Sequence, residues 1–461
     1  MSEARTFDRS RAPTPGPVRP FRFPHVERAL LDNGLTVLTA RHGRLPVVTA
    51  ALVLEAGAAA EPAERAGLAQ LVAHALDAGT RTRSADEVAW ALERLGVEFN
   101  ADAHWDAAIL SIVTPRDRLE PALELFAEIA REPAFRAEEV ERLRDEQLAE
   151  ILQRQKEPGA LAADRAPGFI FAPGVPYRRP LGGTYGSVAA IGVEDVRAFY
   201  RGWYAPRGAS LLLVGDIDAA TACTLAESRF GDWTGQPGAR PSFEVRPGVQ
   251  RATVFVIDRP GSVQSEIRVG DVGLERGHPD YVPLQVMNSL LGGAFTSRLN
   301  MNLRERHGFT YGAHSGFAFR RRPGPFLIQT AVATEVTARA TEEILREVRR
   351  LRDETAPEAE VAASRDYLAG TLPLELQTTE QLAGRLADLV VHDLPDDYFD
   401  RNRQQILAVT AADVQRVARE HLRPERFAIV VVGDAGAIVP GLQALGIGPV
   451  EVHQGPAQEP V

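Results

Sequence analysis

Short apolar runs and helical patterns follow one another along the chain and predict two similar sets of elements. Residues 34–40 (GLTVLTA) and 46–57 (PVVTAALVLEAG) are typical of two strands with a turn between them. Residues 252–258 (ATVFVID) and 263–273 (VQSEIRVGDVG) repeat that pattern. Helical segments follow each strand pair. Pairs of strands followed by helices, rather than strict alternation of single strands and helices, favour an α+β fold in which each half is a mainly antiparallel sheet packed with helices.

Three of the predicted helices have clear sequence signals. Ser84 and Glu87 form the S-x-x-E pattern of a capping box, and Gly96 is expected to end the helix that they begin. Residues 138–155 form a long charged helical segment. In the second half, spacings of three to four residues predict a helix with one apolar face made by Val336, Ala340, Ile344, Val348 and Leu351.

An internal repeat links the two halves. The segment VEDVRAFYRGWYAPRGASLLLVGD begins at Val193, and AADVQRVAREHLRPERFAIVVVGD begins at Ala411. Both contain Asp-Val, an amphipathic helix, a proline, a short apolar strand and Gly-Asp. A spacing this long predicts a duplicated domain rather than a solenoid. The identities, all 218 residues apart without a gap, are Asp195/Asp413, Val196/Val414, Pro206/Pro424, Gly215/Gly433 and Asp216/Asp434.

Composition shifts predict the domain boundaries. Residues 233–250 are rich in glycine and proline and are predicted to be a linker between domains at 22–232 and 251–448. Residues 1–21 are predicted to be a disordered tail and residues 449–461 a C-terminal tail. The first twenty residues lack the apolar core of a secretory signal, so we expect a cytoplasmic protein.

Overall composition excludes several classes of function. The chain has 461 residues, of which 44% are hydrophobic and 25% charged, as in soluble globular proteins of two or three domains. Its net charge of −10 argues against nucleic acid as the main partner. No apolar run approaches the roughly 20 residues that span a bilayer. The single cysteine, Cys223, excludes an intrachain disulfide and a multi-cysteine metal cluster.

Residues 67–80 (GLAQLVAHALDAGT) resemble the zinc helix of the insulinase, pitrilysin and mitochondrial-processing-peptidase family (M16), GLAHFLEHMLFKGT. In the family motif His-x-x-Glu-His, two histidines project from one helix face and the glutamate polarises the zinc-bound water. Here Gln70 replaces the first histidine and Ala73 replaces the glutamate. Only His74 is retained, so the motif is degenerate.

The third zinc ligand of the family is a glutamate, and Glu150 matches its position 76 residues after His74. A catalytic zinc needs three protein ligands, a water molecule and a base for that water. The resemblance therefore implies that this half binds no catalytic zinc. We interpret His74 and Glu150 as residual ligand positions that make an ordinary hydrogen bond, and a weak metal site is the alternative that remains open.

Residues 290–316 (LLGGAFTSRLNMNLRERHGFTYGAHSG) resemble the family segment that carries an arginine and a tyrosine seven residues apart. Arg304 and Tyr311 match that pair, which the resemblance implies binds the substrate backbone and stabilises the oxyanion. Gly308 is expected to end a helix, with Arg304 on the helix and Tyr311 on the next strand. The alternative interpretation is an arginine in a surface ion pair and a half-buried strand tyrosine.

The resemblance covers residues 25–435 and implies the non-catalytic subunit of a heteromeric zinc peptidase. No cofactor is expected on this chain, and Zn²⁺ is expected on a homologous partner subunit that hydrolyses peptides. Two alternatives remain: a self-dimer that binds peptides without turnover, and a non-proteolytic structural subunit like the core subunits of the respiratory cytochrome complex. We do not expect an enzyme active on its own, because no Ser/His/Asp or Cys/His constellation stands out.

Overall fold

Two six-stranded sheets form the centre of the molecule, one in each half of the chain. The computed structural model describes residue 16 and residues 22–455, so the tail predicted for residues 1–21 lies outside the described residues except for Gly16. The strands of the first sheet are β1 Val26–Leu30, β2 Thr36–Arg41, β3 Val47–Leu54, β4 Glu98–Ala103, β5 Ala108–Pro115 and β6 Ser210–Gly215. Those of the second are β7 Thr253–Asp258, β8 Gln264–Val272, β9 Ala313–Phe317, β10 Pro325–Ala333, β11 Ala428–Gly433 and β12 Val450–Gln454.

Helices pack on both faces of these sheets. The helices of the first half are α1 Leu68–His74, α2 Ala85–Leu95, α3 Leu119–Arg131, α4 Ala137–Lys156, α5 Pro158–Arg165, α6 Pro167–Ile170, α7 Tyr185–Ala189, α8 Val193–Trp203 and α9 Ala219–Phe230. Those of the second half are α10 Tyr281–Asn288, α11 Thr337–Asp353, α12 Glu358–Thr371, α13 Thr379–Val391, α14 Tyr398–Ala408, α15 Ala411–His421 and α16 Ala435–Ala444. No helix in the described part of the chain is both long and apolar enough to cross a membrane.

The sheets are mixed and mainly antiparallel, as the sequence predicts. The strand orders are β1-β2-β6-β3-β5-β4 and β12-β7-β11-β8-β10-β9. The parallel pairings are β2 with β6 in the first sheet, and β7 with both β11 and β12 in the second. The α+β fold class is confirmed.

Strands β2 and β3, predicted as a pair with a turn between them, are not hydrogen-bonded to each other, because β6 lies between them. The last residue of β6, Gly215, makes this insertion possible. A Cβ atom at Gly215 would lie 2.1 Å from the carbonyl oxygen of Val47, so only glycine allows the backbones to approach this closely. Strand β11 lies in the same way between β7 and β8.

The predicted helices are present, although Val336 lies in the 3₁₀ turn before α11 rather than in the helix. Helix α2 begins after Ser84, whose hydroxyl oxygen accepts a hydrogen bond from the backbone N–H of Glu87 while the Glu87 carboxylate accepts one from the N–H of Ser84. It ends at Gly96, which has a φ of 65°. The predicted charged helix is α4, and the helix with one apolar face is α11.

The C-terminal tail predicted from residue 449 begins instead with a strand. Strand β12, at residues 450–454, pairs in parallel with β7 at the edge of the second sheet. All five residues of β12 are exposed or half-buried, as at an uncovered sheet edge. The other domain boundaries stay predictions.

Each half of the chain supplies a helix to the sheet of the other half. Helix α13, from the second half, packs on β3 and β6 of the first sheet. Its residues Leu382, Leu386 and Leu389 are buried there in one apolar cluster with Leu38 and Leu212.

Helix α5, from the first half, packs in turn on β8 and β11 of the second sheet. Its residue Leu161 is buried with Phe255 and Val430. Helix α5 follows α4 as α13 follows α12, so the two helices occupy equivalent places in the two repeats. The exchange is therefore reciprocal, and it joins the two halves through their cores.

Replacing Leu386 by alanine is expected to destabilise the whole chain, because the side chain is fully buried between the two halves. Deletion of a buried leucine costs about 2–5 kcal/mol in the free energy of unfolding. Chemical denaturation should show one cooperative transition at a lower midpoint. Leu374→Ala, at an exposed position, is the control and should stay within about 0.5 kcal/mol of the wild type. Two separate transitions, with only one of them shifted by Leu386→Ala, would contradict this coupling.

Candidate functional site

Helix α1 carries the degenerate motif along the edge of the first sheet. Leu68, Leu71, Val72 and Ala73 are buried in the core of the first half and set the rotation of the helix. Gln70 is half-buried, and the side chain of His74 is 45% exposed. The helix therefore presents the two former ligand positions one turn apart, as the family motif requires.

A buried carboxylate holds the beginning of α1. The two oxygens of Glu61 accept hydrogen bonds from the backbone N–H groups of Gly67, at 3.0 Å, and Ala69, at 2.8 Å. Arg179 lies 2.9 Å from the same carboxylate. The side chain of Glu61 has no exposed surface, and burial raises the pKa of this carboxyl while the two N–H groups and Arg179 oppose that rise. Glu61 therefore fixes the start of the helix that carries Gln70, Ala73 and His74.

The side chains at the motif positions have separate surroundings. Ala73 is buried and has no group that accepts a proton. The Nε2 atom of His74 lies 3.5 Å from Oδ1 of Asp102 on β4, whereas Glu150 is exposed on α4. Among the described residues, His74 and Glu150 make no ion pair or hydrogen bond with each other, so the predicted hydrogen bond between them is wrong. A partner nearer in space, Asp102 at the sheet edge, takes its place.

The second candidate pair lies at one end of the second sheet. Arg304 is on a wide helical turn with π-type hydrogen bonding, residues 300–306, and Gly308 follows it with a φ of 63°. Gly308 therefore ends the turn, as predicted. Tyr311 lies in the loop before β9, so its predicted position on the strand is wrong. Its side chain is 96% exposed rather than half-buried.

Arg304 is held by an aromatic ring rather than by a strong ion pair. Its guanidinium lies 4.4 Å from the centre of the Phe295 ring, which is a favourable cation–π distance. Its Nε atom is 3.5 Å from the carboxylate of Glu305, its neighbour in sequence. The hydroxyl of Tyr311 has no hydrogen-bond partner within residues 22–455. Both side chains therefore keep donors available to a ligand.

Asn300 fixes the loop that carries Tyr311, and sequence reasoning missed this residue. Its Oδ1 accepts a hydrogen bond from the N–H of Ala313, and its Nδ2 donates to the carbonyl oxygen of Ala313, both at 2.9 Å. From β10, the Thr330 hydroxyl donates to the carbonyl oxygen of Gly312, the residue after Tyr311, at 3.0 Å. The loop is thus attached to the helical turn and to β10. A lone asparagine in a helical segment has no pattern that would have predicted this.

A groove of about 490 Å³ begins beside Tyr311. Its floor is one face of the second sheet, and α5 covers another part of the same face. Arg268 connects the groove to α5, because its Nη2 donates to the carbonyl oxygen of Gly159 on α5 at 3.1 Å. The lining combines aromatic rings with charged and amide groups. It includes Tyr311, Phe295, His314, Glu266, Arg268 and Gln329.

Comparisons with known proteins relate both halves to one peptidase family. Residues 36–168 match the family described as insulinase (peptidase family M16), and residues 190–368 match the peptidase M16 inactive domain. A zinc protease of Mycobacterium tuberculosis, itself uncharacterized, is 28% identical over 92% of this chain and 97% of its own length. The beta subunit of the mitochondrial-processing peptidase of Lentinula edodes is 24% identical over 89% of this chain and 90% of its own.

Solved structures show the same fold. The crystal structure of a peptidase M16 inactive domain from Pseudomonas fluorescens superimposes with a TM-score of 0.83 at 26% identity, over 89% of this chain and 98% of that one. A protease from Helicobacter pylori has the same TM-score at 22% identity. The likeness extends over both sheets and is not confined to one half.

Replacing Glu61 by alanine is expected to lower the free energy of unfolding by about 3–5 kcal/mol, because it leaves Arg179 and two N–H groups buried without their partner. Denaturant titration followed by circular dichroism measures the loss. Glu64→Ala, three residues away and exposed, is the control and should stay within about 0.5 kcal/mol of the wild type. Equal losses in the two variants would contradict the role given to Glu61.

Proposed function

The chain belongs to the M16 peptidase family, and from that premise we propose that it is the non-catalytic subunit of a heteromeric M16 zinc metallopeptidase. In this proposal Zn²⁺ is bound by a homologous partner subunit. Arg304 and Tyr311 of this chain bind the peptide substrate and stabilise the negative charge that develops on the attacked carbonyl oxygen. The partner supplies the metal and the base.

One observation carries the proposal: the two halves of the chain differ in which of the family's functional side chains they have. Helix α1 keeps the shape of a zinc helix but has Ala73 at the position of the base. The other half presents Tyr311 almost fully exposed and Arg304 beside Phe295. A subunit that has lost its metal site and still presents these donors is suited to complete an active site on another chain.

The groove beside Tyr311 fits an extended peptide better than a small polar ligand. Glu266 and Arg268 on β8 and Gln329 on β10 lie along its floor. Arg268 is already paired with the Glu266 carboxylate at 2.8 Å and with Gly159. The second carboxylate oxygen of Glu266 and the amide of Gln329 are the groups that can hydrogen-bond successive backbone groups of a peptide. The exposed ring of Phe295 adds an apolar contact for a side chain.

The hydroxyl of Tyr311 is suited to donate a hydrogen bond to the carbonyl oxygen of a bound peptide. Its contribution is therefore to the transition state, where charge forms on the carbonyl oxygen. Removal of one such donor costs about 10²–10³ in rate in other enzymes.

The proposal is tested by combining this chain with its zinc-bearing homologue and measuring peptide hydrolysis. Tyr311→Phe is expected to lower kcat by about 10²–10³ while the two subunits still assemble. Tyr367→Phe, which alters another exposed tyrosine on α12, is the matched control and should leave kcat unchanged. Full activity of the Tyr311→Phe complex would remove that residue from the site.

The same experiment separates the alternative functions. A structural subunit predicts that no peptide is hydrolysed by the combined chains and that Tyr311→Phe has no effect. A peptide-binding self-dimer predicts that this chain binds peptides alone, without turnover and without a zinc-bearing partner. Peptide hydrolysis by this chain alone would contradict all three.

A further inference from the structure

Three metal-binding side chains meet where the beginning of α10 contacts the end of α15. His278 and Asp280 precede α10, and His421 is the last residue of α15. The Nε2 atom of His421 lies 2.7 Å from Oδ2 of Asp280, and Nδ1 of His278 lies 4.0 Å from the same oxygen. One ligand atom from each residue falls within 4.8 Å of the others, and no other group of three among the described residues does so.

The cluster is partly buried and open to solvent on one side. The side chains of Asp280 and His421 are 14% exposed and that of His278 is 32% exposed. An ion could therefore enter past His278 and be surrounded by protein on its other sides. Such partial burial is typical of a bound ion that keeps one water ligand.

Polar contacts hold the carboxylate and one imidazole of the cluster in place. Arg416 lies 2.7 Å from Oδ1 of Asp280, and His421 lies 2.7 Å from Oδ2. The Nδ1 atom of His278 accepts the backbone N–H of Asp280 at 3.1 Å and therefore carries no proton. To bind Nδ1, a metal ion would have to displace only the hydrogen bond from the backbone N–H of Asp280.

We propose that His278, Asp280 and His421 form a binding site for a divalent transition-metal ion such as Zn²⁺. Two imidazole nitrogens and one carboxylate oxygen, with water in the fourth position, suit zinc. Calcium and magnesium are disfavoured because they prefer oxygen ligands. The site lies between α10 and α15 and is separate from helix α1.

Arg416 limits the strength of the site without blocking it. Its Nη2 atom lies 2.7 Å from Oδ1 of Asp280, so it occupies one carboxylate oxygen and leaves Oδ2 for the metal. A guanidinium this close repels a dication and weakens its binding. Removing that charge should therefore strengthen metal binding.

The cluster is not required by the duplicated fold. Helix α8 in the first half corresponds to α15, and it ends in Trp203 where α15 ends in His421. Residues 43–73, which include the segment that corresponds to the His278 loop, contain no histidine. Two helices therefore meet in the first half without this triad, and the three residues add a chemistry that only the second half has.

The proposal is tested by titrating Zn²⁺ into the purified full chain after removal of metals with EDTA. Calorimetry should show one zinc ion per chain. His421→Asn and His278→Asn should each weaken binding at least about tenfold, since loss of a residue that only supports a ligand already costs about 10–100-fold. His74→Asn is the matched control, because it removes the histidine of the degenerate helix, and should bind zinc as the wild type does.

Thermal unfolding gives a second readout that does not depend on calorimetry. Zinc should raise the Tm of the wild type and of His74→Asn, because a ligand that binds only the folded state stabilises it. At the same zinc concentration it should raise the Tm of His278→Asn less, and the more exposed position of His278 makes this the safer variant if His421→Asn does not fold. Arg416→Gln should bind zinc more tightly than the wild type.

Three results would overturn the proposal. They are the absence of zinc uptake by the wild type, unchanged zinc affinity in His278→Asn, and loss of zinc binding in His74→Asn. Weaker binding by Arg416→Gln would contradict the role given to its charge. None of these outcomes bears on Tyr311, so the site stands or fails independently of the proposed peptidase complex.

Discussion

Burial of both faces of the two central sheets is the constraint on which the rest of the molecule depends. Strands β6 and β11 are buried at every position. The helices of each half cover only one face of its own sheet, and the second face is covered by α13 in one half and α5 in the other. Neither sheet can be covered without the other half of the chain, so the two copies of the domain form a single packed unit.

This exchange also shapes the candidate site. Helix α5 covers one part of the second sheet and leaves the part beside Tyr311 open as a groove, and Arg268 connects the two through its hydrogen bond to Gly159. In the first half, Glu61 and Arg179 hold the beginning of α1, the helix that has Gln70 and Ala73 in place of the family's histidine and glutamate. The duplicated fold is thus retained in both copies, while the chemistry of the copies differs. That difference supports the role in substrate binding that we propose for the chain.

Much of the fold could be predicted because it depends on neighbours in sequence. The runs SLLLVG and AIVVVG contain no alternation, which is typical of strands buried on both faces. The capping box of α2 needs only residues three apart.

By contrast, nothing local indicates that α13 would cover a sheet some 170–330 residues earlier in the chain. The partner of His74 was missed for the same reason, because Asp102 becomes its neighbour only when β4 reaches the sheet edge. Tyr311 was placed on a strand because the local sequence could not show that Asn300 shapes a loop there.

The most direct test of the account is the peptidase activity of the homologous zinc-bearing subunit as increasing amounts of this chain are added. We predict that neither chain hydrolyses peptides at a significant rate alone, and that activity rises with added chain to a plateau at one chain per zinc-bearing subunit. Activity of the zinc-bearing subunit that is already complete, and unchanged by any amount of this chain, would contradict the account.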